Sequence, residues 1–462
     1  MYNGLACSDK LNEECGIVGV YSNKLKDVSK IAYFGLYSLQ HRGQESCGIA
    51  VNDKGEIRYC KGMGLVSEVF DDDILKNLEG NISIGHVRYS TTGESRASNA
   101  QPLVVKYKNG DIALAHNGNL VNAQAIREIL EEEGVVFQTT IDTEVIVNLI
   151  ARYHKSGIEN AIKKVMELIR GSYALVLTMG DMLIGVRDPY GIRPLCIGKL
   201  KDGFVIASES CALDTVGAEL IRDVEPGEII IIDEKGMRGI PYDKWCKRSL
   251  CIFELIYFAR PDSVMDGTSV YLARKEAGRI LARESEANGD IVISVPDSGT
   301  AAAIGFSEES GIPFSEGLIK NRYVGRTFIK PSQELREQGV RLKLNVVKEN
   351  IKGKRVILVD DSIVRGTTIR RIVDILKSAG AKEVHVRISS PPVKFPCFFG
   401  IDTPERKQLI GAKNTTEDIR KLINADSLSY LSIEGLIKTT GKNRGFCLAC
   451  FNGDYPMEVP LD

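Results

Sequence analysis

The hydrophobic pattern of this chain changes its rule near residue 245, and few folds accommodate both rules. Upstream, short apolar runs follow one another with turn punctuation: CGIVGVYS, ISIGHVRYST, DIALAHNGN, SYALVLTMG, DMLIGVRDP, PLCIGKL and FVIASES. Hairpin-style connections of this kind imply an antiparallel sheet. Apolar residues recur three or four apart at 31–40, 122–133 and 143–154, which predicts helices there. Helices laid on antiparallel sheets make a layered α+β unit. Downstream, helix and apolar strand alternate: a helix over 270–288, then DIVISVPDSG, the helix TAAAIGFSEESG, KRVILVDDS, the helix TTIRRIVDILKSAG, and EVHVRIS. Continuous apolar strands joined through helices predict a parallel sheet of α/β type. The boundary falls at 240–250, between GIPYDKWCKRS and CIFELIYF, and 462 residues suit two packed units. The chain has neither an internal repeat nor a low-complexity tract.

Composition removes several classes of function. With 43% hydrophobic and 26% charged residues the chain reads as a soluble globular protein, and no apolar run approaches the roughly 20 residues that span a bilayer. The start, MYNGLACSDKLNEEC, lacks the basic and then apolar pattern of a secretory signal, so a cytoplasmic location is expected. A net charge of −1 disfavours binding to nucleic acid. Residues 320–355 nevertheless hold eleven Lys or Arg against three Glu, a local match for a small polyanion. Eleven cysteines without a signal peptide argue against a disulfide scaffold. Cys7, Cys47, Cys60, Cys196, Cys211 and Cys246 read as packing residues. Cys447 and Cys450 form a C-x-x-C pair, and Cys15 stands between two glutamates and a glycine.

The most informative segment is VILVDDSIVRGTTIRRIV. An apolar strand, Val356 to Val359, delivers Asp360 and Asp361 to its carboxyl end, where open α/β sheets bind ligands. Ser362, Gly366, Thr367 and Thr368 then lead into a helix whose free amides suit a phosphate. Adjacent carboxylates hold a ribose diol or a Mg²⁺. A solvated acidic turn is the bland alternative, and the combination of strand, paired acids, RGTT and helix argues against it. The segment resembles the signature of type I phosphoribosyltransferases. That resemblance implies Asp360 and Asp361 on ribose and metal, and Ser362, Arg365, Gly366, Thr367 and Thr368 around the 5′-phosphate. SVPDSG, by itself a turn signal, resembles the pyrophosphate loop of the same family, which brings Ser298 near the Mg²⁺. The basic stretch NRYVGRTFIKPSQELREQGVRLKLN, by itself a solvated charged loop, resembles the loop that folds over the substrate, with Arg326 among its cations.

In the first half CGIVGV, HRGQES, GHVRYST, HNGN and DTEV occur in order. Singly each has an ordinary reading: Asn117-Gly118 as a type I′ hairpin turn, Asp142 as a helix cap, Arg88 as a surface charge. Their joint order resembles the N-terminal-nucleophile glutamine amidotransferases, which implies a four-layer αββα domain with Cys15 as nucleophile once residues 1–14 are removed. Removal matters because a free α-amino group, with a pKa of about 7.7–8.0, can act as the base for the thiol, and an amide nitrogen cannot. The resemblance further implies an oxyanion hole from Asn117 and Gly118, Arg88 on the glutamine carboxylate, Asp142 on its α-amino group, and Arg42 as a supporting substrate contact.

The two halves together resemble the amidophosphoribosyltransferase family over residues 11–456, and within it the Bacillus type. This implies a propeptide (1–14), a glutaminase domain (15–245) and a phosphoribosyltransferase domain ending in a cluster-binding segment (246–462). It implies a [4Fe–4S] cluster on Cys251, Cys397, Cys447 and Cys450, with a Cys₄ zinc site as the nearest rival. The expected reaction joins glutamine and phosphoribosyl pyrophosphate into phosphoribosylamine at the entry to purine synthesis, with Mg²⁺, purine-nucleotide inhibition and a homotetramer as further expectations. A sugar-phosphate aminotransferase would share the glutaminase half, but VDDSIVRGTT speaks against its isomerase domain. A non-catalytic phosphoribosyl-pyrophosphate sensor would have no use for Cys15.

Overall fold

A computed structural model describes residues 15–89, 95–108, 110–242, 246–321, 344–441 and 445–460. The first half contains β1 (Gly16–Ser22), β2 (Ser46–Asp53), β3 (Glu56–Met63), β4 (Ile82–Arg88), β5 (Leu103–Tyr107), β6 (Gly110–Leu120) and β7 (Gly171–Met179). There follow β8 (Met182–Arg187), β9 (Cys196–Leu200), β10 (Gly203–Ala207), β11 (Glu219–Asp223), β12 (Glu228–Asp233) and β13 (Gly236–Pro241). They build two antiparallel sheets, β11-β9-β10-β1-β4-β2-β3 and β13-β12-β8-β7-β6-β5.

Alternation along the strands explains the layering. In β1, Ile17 and Tyr21 point to a core shared with Ala113, Ala115, Ala174 and Val176 of the other sheet. Val18 and Val20 point the opposite way, onto Val28, Ala32 and Leu36 of the helix Val28–Ser38. In the second sheet Leu175, Leu177, Ile229 and Ile231 face the helices Thr143–Tyr153 and Ile158–Leu168. Both faces of both sheets are therefore covered, giving helix, sheet, sheet, helix. The strands of EIIIID and SYALVLTM are apolar throughout for this reason, although their neighbours run antiparallel.

The second half begins with β14 (Leu250–Cys251) and a short antiparallel pair, β15 (Val264–Met265) with β16 (Thr268–Ser269). Its sheet is parallel, in the order β17 (Ile291–Ser294), β20 (Arg355–Asp360), β21 (Glu383–Ile388), β22 (Ser427–Tyr430). Val292, Ile357 and Val359 pack under Ala277, Leu281, Ala302 and Phe306 of the helices Val270–Glu284 and Thr300–Ser310. Ile291, Ile293, Val356 and Leu358 face Ile369, Ile372 and Leu376 of the helix Thr367–Ser378. A ribbon of β18 (Leu318–Lys320) and β19 (Leu344–Val346) stands at the base of the basic stretch. Near the end of the chain, β23 (Phe446–Cys447) pairs with β14. Among the described residues no helix is long and apolar enough to cross a membrane.

Candidate functional site

Cys15 lies immediately before β1. Gly16 is the register partner of Val87, so the thiol comes beside the end of β4, with Sγ 3.7 Å from the Tyr89 carbonyl oxygen. Arg88 ends β4 opposite Ser46 of β2. It is buried and not a surface charge, and its Nη1 donates to Glu45 Oε1 at 3.1 Å. His86 Nε2 lies 3.0 Å from the His116 carbonyl oxygen, a link from the first sheet to the second one residue before Asn117.

Asn117 and Gly118 do not make a hairpin turn. They sit inside β6, paired with Ala174 and Tyr173 of β7. Asn117 is fully buried, and neither its Oδ1 nor its Nδ2 has a hydrogen-bond partner among the described residues. A buried polar group left in this state costs about 1–3 kcal/mol, which a ligand accepting from the amide would recover. Gly118 has φ +146, and a Cβ there would lie 2.1 Å from the Ser172 carbonyl oxygen. Only glycine lets the strand come this close.

Arg42 is buried among protein partners: its Nε donates to the Cys15 carbonyl oxygen at 3.1 Å, and its Nη atoms bind Glu209 and Glu254, each at 2.6 Å. It therefore fixes the Cys15 backbone. Both glutamates are fully buried. Burial alone would raise the Glu209 carboxyl, but His41 and Arg42 outweigh it and hold the group well below the usual carboxylate range. Glu254 belongs to the second half, on the single π-turn Glu254–Phe258, so this ion cluster joins the halves directly behind Cys15.

Asp142 meets one protein partner through each carboxylate oxygen and keeps further acceptor capacity. Its Oδ2 accepts from the Leu120 amide at 3.0 Å, and its Oδ1 lies 3.3 Å from His116 Nδ1. It lines a recess of about 250 Å³ with Asn119, Arg127, Thr140 and Phe398, and neither Cys15 nor Arg88 borders that recess.

In the second half, β20 delivers Asp360 and Asp361, both buried, to its carboxyl end. The Asp361 amide donates to Asp360 Oδ1 at 2.9 Å, and Ser362 Oγ donates to Asp361 Oδ1 at 2.5 Å. Gly366, at φ +85, forms the cap of the helix Thr367–Ser378 and has no side chain of its own to bond the helix amides beside Thr367 and Thr368. Arg365 Nη2 donates to Gln408 Oε1 at 3.3 Å. The Ser298 loop comes alongside because Val295 N–H bonds the Val359 carbonyl at 2.9 Å. Two neighbours were not foreseen. Arg274, whose pKa burial pulls down to about 10 while Asp361 raises it, donates to the carbonyls of Leu255 and Ala259, each at 2.8 Å. Lys320 Nζ reaches Asp297 Oδ2 at 2.8 Å. Arg326 and most of the basic stretch lie outside the described residues, as do residues 1–14 with Cys7.

Cys251 and Cys447 are register partners across β14 and β23. Burial raises the Cys447 thiol to about 12, and raises Cys450 well above its usual value, with Cys447, Cys251 and Cys397 adding to the shift. Cys251 and Cys450 are buried, and Cys397 and Cys447 are partly exposed. The Phe399 amide donates to Cys397 Sγ at 3.3 Å. Among the described residues no three His, Cys, Asp or Glu side chains converge closely enough to hold a single metal ion.

Known proteins share this arrangement. Family models match for a glutamine amidotransferase domain over residues 86–215 and a phosphoribosyl transferase domain over residues 271–389. Amidophosphoribosyltransferase of Archaeoglobus fulgidus is 56% identical over 451 residues, 96% of this chain and 98% of that protein. The Bacillus subtilis protein of the same name is 51% identical over 459 residues, 98% of this chain and 96% of its own. A solved structure of glutamine phosphoribosylpyrophosphate amidotransferase from B. subtilis, complexed with ADP and GMP, superposes with a TM-score of 0.92 at 50% identity. It covers 97% of this chain and 98% of the other.

Proposed function

This chain belongs to the amidophosphoribosyltransferase family, and we propose how its two sites divide the reaction. Glutamine, phosphoribosyl pyrophosphate and water become 5-phosphoribosylamine, glutamate and pyrophosphate, the first step of purine synthesis. Cys15 is the glutaminase nucleophile, freed by loss of residues 1–14. Its sulfur attacks the glutamine carboxamide carbon, the C–N bond breaks, and ammonia departs with a proton from the α-amino group. Water then cleaves the thioester to glutamate. The oxyanion formed on the way accepts from Asn117 Nδ2 and the Gly118 amide. The observation that carries this reading is Asn117, a buried amide without a hydrogen-bond partner among the described residues. Removing one donor of this kind elsewhere costs about 100- to 1,000-fold in kcat. Arg88 holds the glutamine carboxylate, and Asp142 the α-amino group.

Ammonia crosses inside the protein to C1 of the ribose and displaces pyrophosphate. The crossing must be dry, because ammonium has no lone pair with which to attack. Asp360 and Asp361 bind the ribose hydroxyls; Ser362, Arg365, Gly366, Thr367 and Thr368 surround the 5′-phosphate. Asp360, Asp361 and Ser298 would hold Mg²⁺, which supplies positive charge against the departing pyrophosphate.

Cys251, Cys397, Cys447 and Cys450 would hold a [4Fe–4S] cluster; the pairing of Cys251 with Cys447 across two strands and an amide donor to Cys397 support this. A cube of iron and sulfide and a single zinc ion both take four thiolates, so metal content decides between them. The overall reaction moves no electrons, so the cluster's contribution is to brace three chain segments. Purine nucleotides regulate the enzyme, a homotetramer of the cytoplasm; the ADP and GMP bound by the B. subtilis relative support the first of these points.

Cys15→Ala tests the division of labour. Glutamine-dependent synthesis is expected to vanish while ammonia-dependent synthesis persists, since the thiol serves only the first half-reaction. Equal loss of both in a folded protein overturns the assignment.

A further inference from the structure

Gly118, one of the two proposed oxyanion donors, is held from the second half of the chain. Asn119 Nδ2 donates to the Phe398 carbonyl at 2.9 Å, and Ser172 Oγ donates to the Phe399 carbonyl at 2.7 Å. The Ser172 hydroxyl also accepts from the Asn119 amide at 3.3 Å, so one side chain ties β6, β7 and the 398–400 loop together. Arg193, itself fully buried, adds an Nη2 bond to the Phe399 carbonyl. The loop presses directly on the strand: a Cβ at Gly400 would lie 3.2 Å from the Gly118 carbonyl carbon. The Gly118 peptide is thereby fixed between the Ser172 carbonyl on one side and Gly400 on the other.

We propose that Ser172 and Asn119 are positioning residues of the glutaminase, which clamp the oxyanion strand to the Phe398–Gly400 loop and fix the direction of the Gly118 amide. Neither residue touches the reacting atoms. An oxyanion donor is effective only if its position is set before charge develops, and a strand bearing a glycine at positive φ cannot set it alone. Three donors of the first half converging on two consecutive carbonyls of the second supply that rigidity. The inference rests on Asn117 and Gly118 being the oxyanion hole.

The test uses the full-length enzyme carrying Ser172→Ala, with Asn119→Ser as a second variant and Ser172→Thr as the rescue. Glutaminase kcat should fall about 10- to 100-fold, as expected for misplacement by a fraction of an ångström to an ångström, with KM for glutamine and ammonia-dependent synthesis near parental values. Glutamate γ-semialdehyde is the discriminating probe, because the Cys15 thiol adds across its carbonyl, forming a C–S bond and leaving a tetrahedral oxygen in the hole. Its affinity should weaken in proportion to kcat. Iodoacetamide alkylation of Cys15, which passes through no oxyanion, should keep its rate, iron content should not change, and Ser172→Thr should restore both kcat and aldehyde affinity. Parental kcat and aldehyde affinity in both variants overturns the proposal; so does a parallel fall in alkylation rate and melting temperature, which marks a general role in folding. Asn117→Ala separates the two levels of argument. If it abolishes glutaminase while Ser172→Ala and Asn119→Ser do not alter it, only the clamp is wrong; if it leaves glutaminase intact, the oxyanion assignment fails and the clamp with it.

Discussion

Replacing Arg42 with methionine isolates the ion cluster behind Cys15. The guanidinium sits between Glu209 and Glu254 at 2.6 Å from each, and none of the three side chains is more than 1% exposed. Methionine fills similar volume but leaves two buried carboxylates without their shared cation. Breaking a buried pair in this way costs about 3–5 kcal/mol, and here one cation serves two anions, so the upper part of that range is expected at neutral pH. The pH dependence has a definite sign. In the parent, Glu209 is depressed below its unfolded value, so its contribution is complete above the ordinary glutamate pKa of about 4.3 and is lost as pH falls through the depressed value. In Arg42→Met the largest depressing charge apart from His41 is gone, and burial pushes Glu209 upward. The folded variant then binds a proton that the unfolded chain does not, and its deficit relative to the parent shrinks by up to about 1.4 kcal/mol per unit of upward shift as the solution is acidified. Urea unfolding followed by circular dichroism, near neutral pH and again in mild acid, measures both. Arg42→Met/Glu254→Met, which removes one stranded carboxylate, should regain a substantial part of the loss. A single variant within about 1 kcal/mol of the parent at neutral pH, the ceiling for an exposed pair, would refute the reasoning, and so would a deficit that grows in acid.

Asp360→Asn/Asp361→Asn should weaken glutamine-dependent and ammonia-dependent synthesis alike, by at least tenfold, while basal glutamate release survives; normal turnover of ammonia by this variant would remove the phosphoribosyl assignment. Anaerobically purified protein should be brown with about four iron and four sulfide per chain, as a [4Fe–4S] site implies, and Cys447→Ser should bleach it. Colourless, active parent with one zinc per chain would favour the rival site.

Local chemistry was the part of this molecule written most legibly in its sequence. The segment that carries Asp360 and Asp361 needs no distant partner to be read: a buried strand ends, acids follow, and a glycine opens a helix. The strands over 46–53, 56–63, 103–107 and 219–241 are hard to read because both sheet faces are buried or because their exposed edges alternate weakly, as in EIRYCKGM, where Ile57 is the one buried residue. The helix Ile158–Leu168 was overlooked although Ala161, Ile162, Val165 and Met166 recur at helical spacing. Asn117-Gly118 carried a misleading local signal, since the same dipeptide that favours a tight turn here serves a strand that must approach Ser172 at a distance no side chain allows.

Long-range partners leave no such mark, and Arg42 shows why. In HRGQES the family resemblance makes it a supporting substrate contact, and nothing in the segment itself names its partners. Its role is decided by Glu209, 167 residues away, and by Glu254, 212 residues away, neither of which has a pattern that names an arginine as its mate. Both glutamates are tolerable in a dry interior only because the fold brings a planar, always-charged fork between them, and that fork in turn fixes the Cys15 carbonyl. The placement of Cys15 therefore depends on packing the two halves together, so the glutaminase half expressed by itself should expose Arg42 and Glu209 to water where Glu254 belongs. Cys15 in that fragment should alkylate at a rate different from that in the whole chain; identical rates would mean that the seam contributes nothing to holding the thiol.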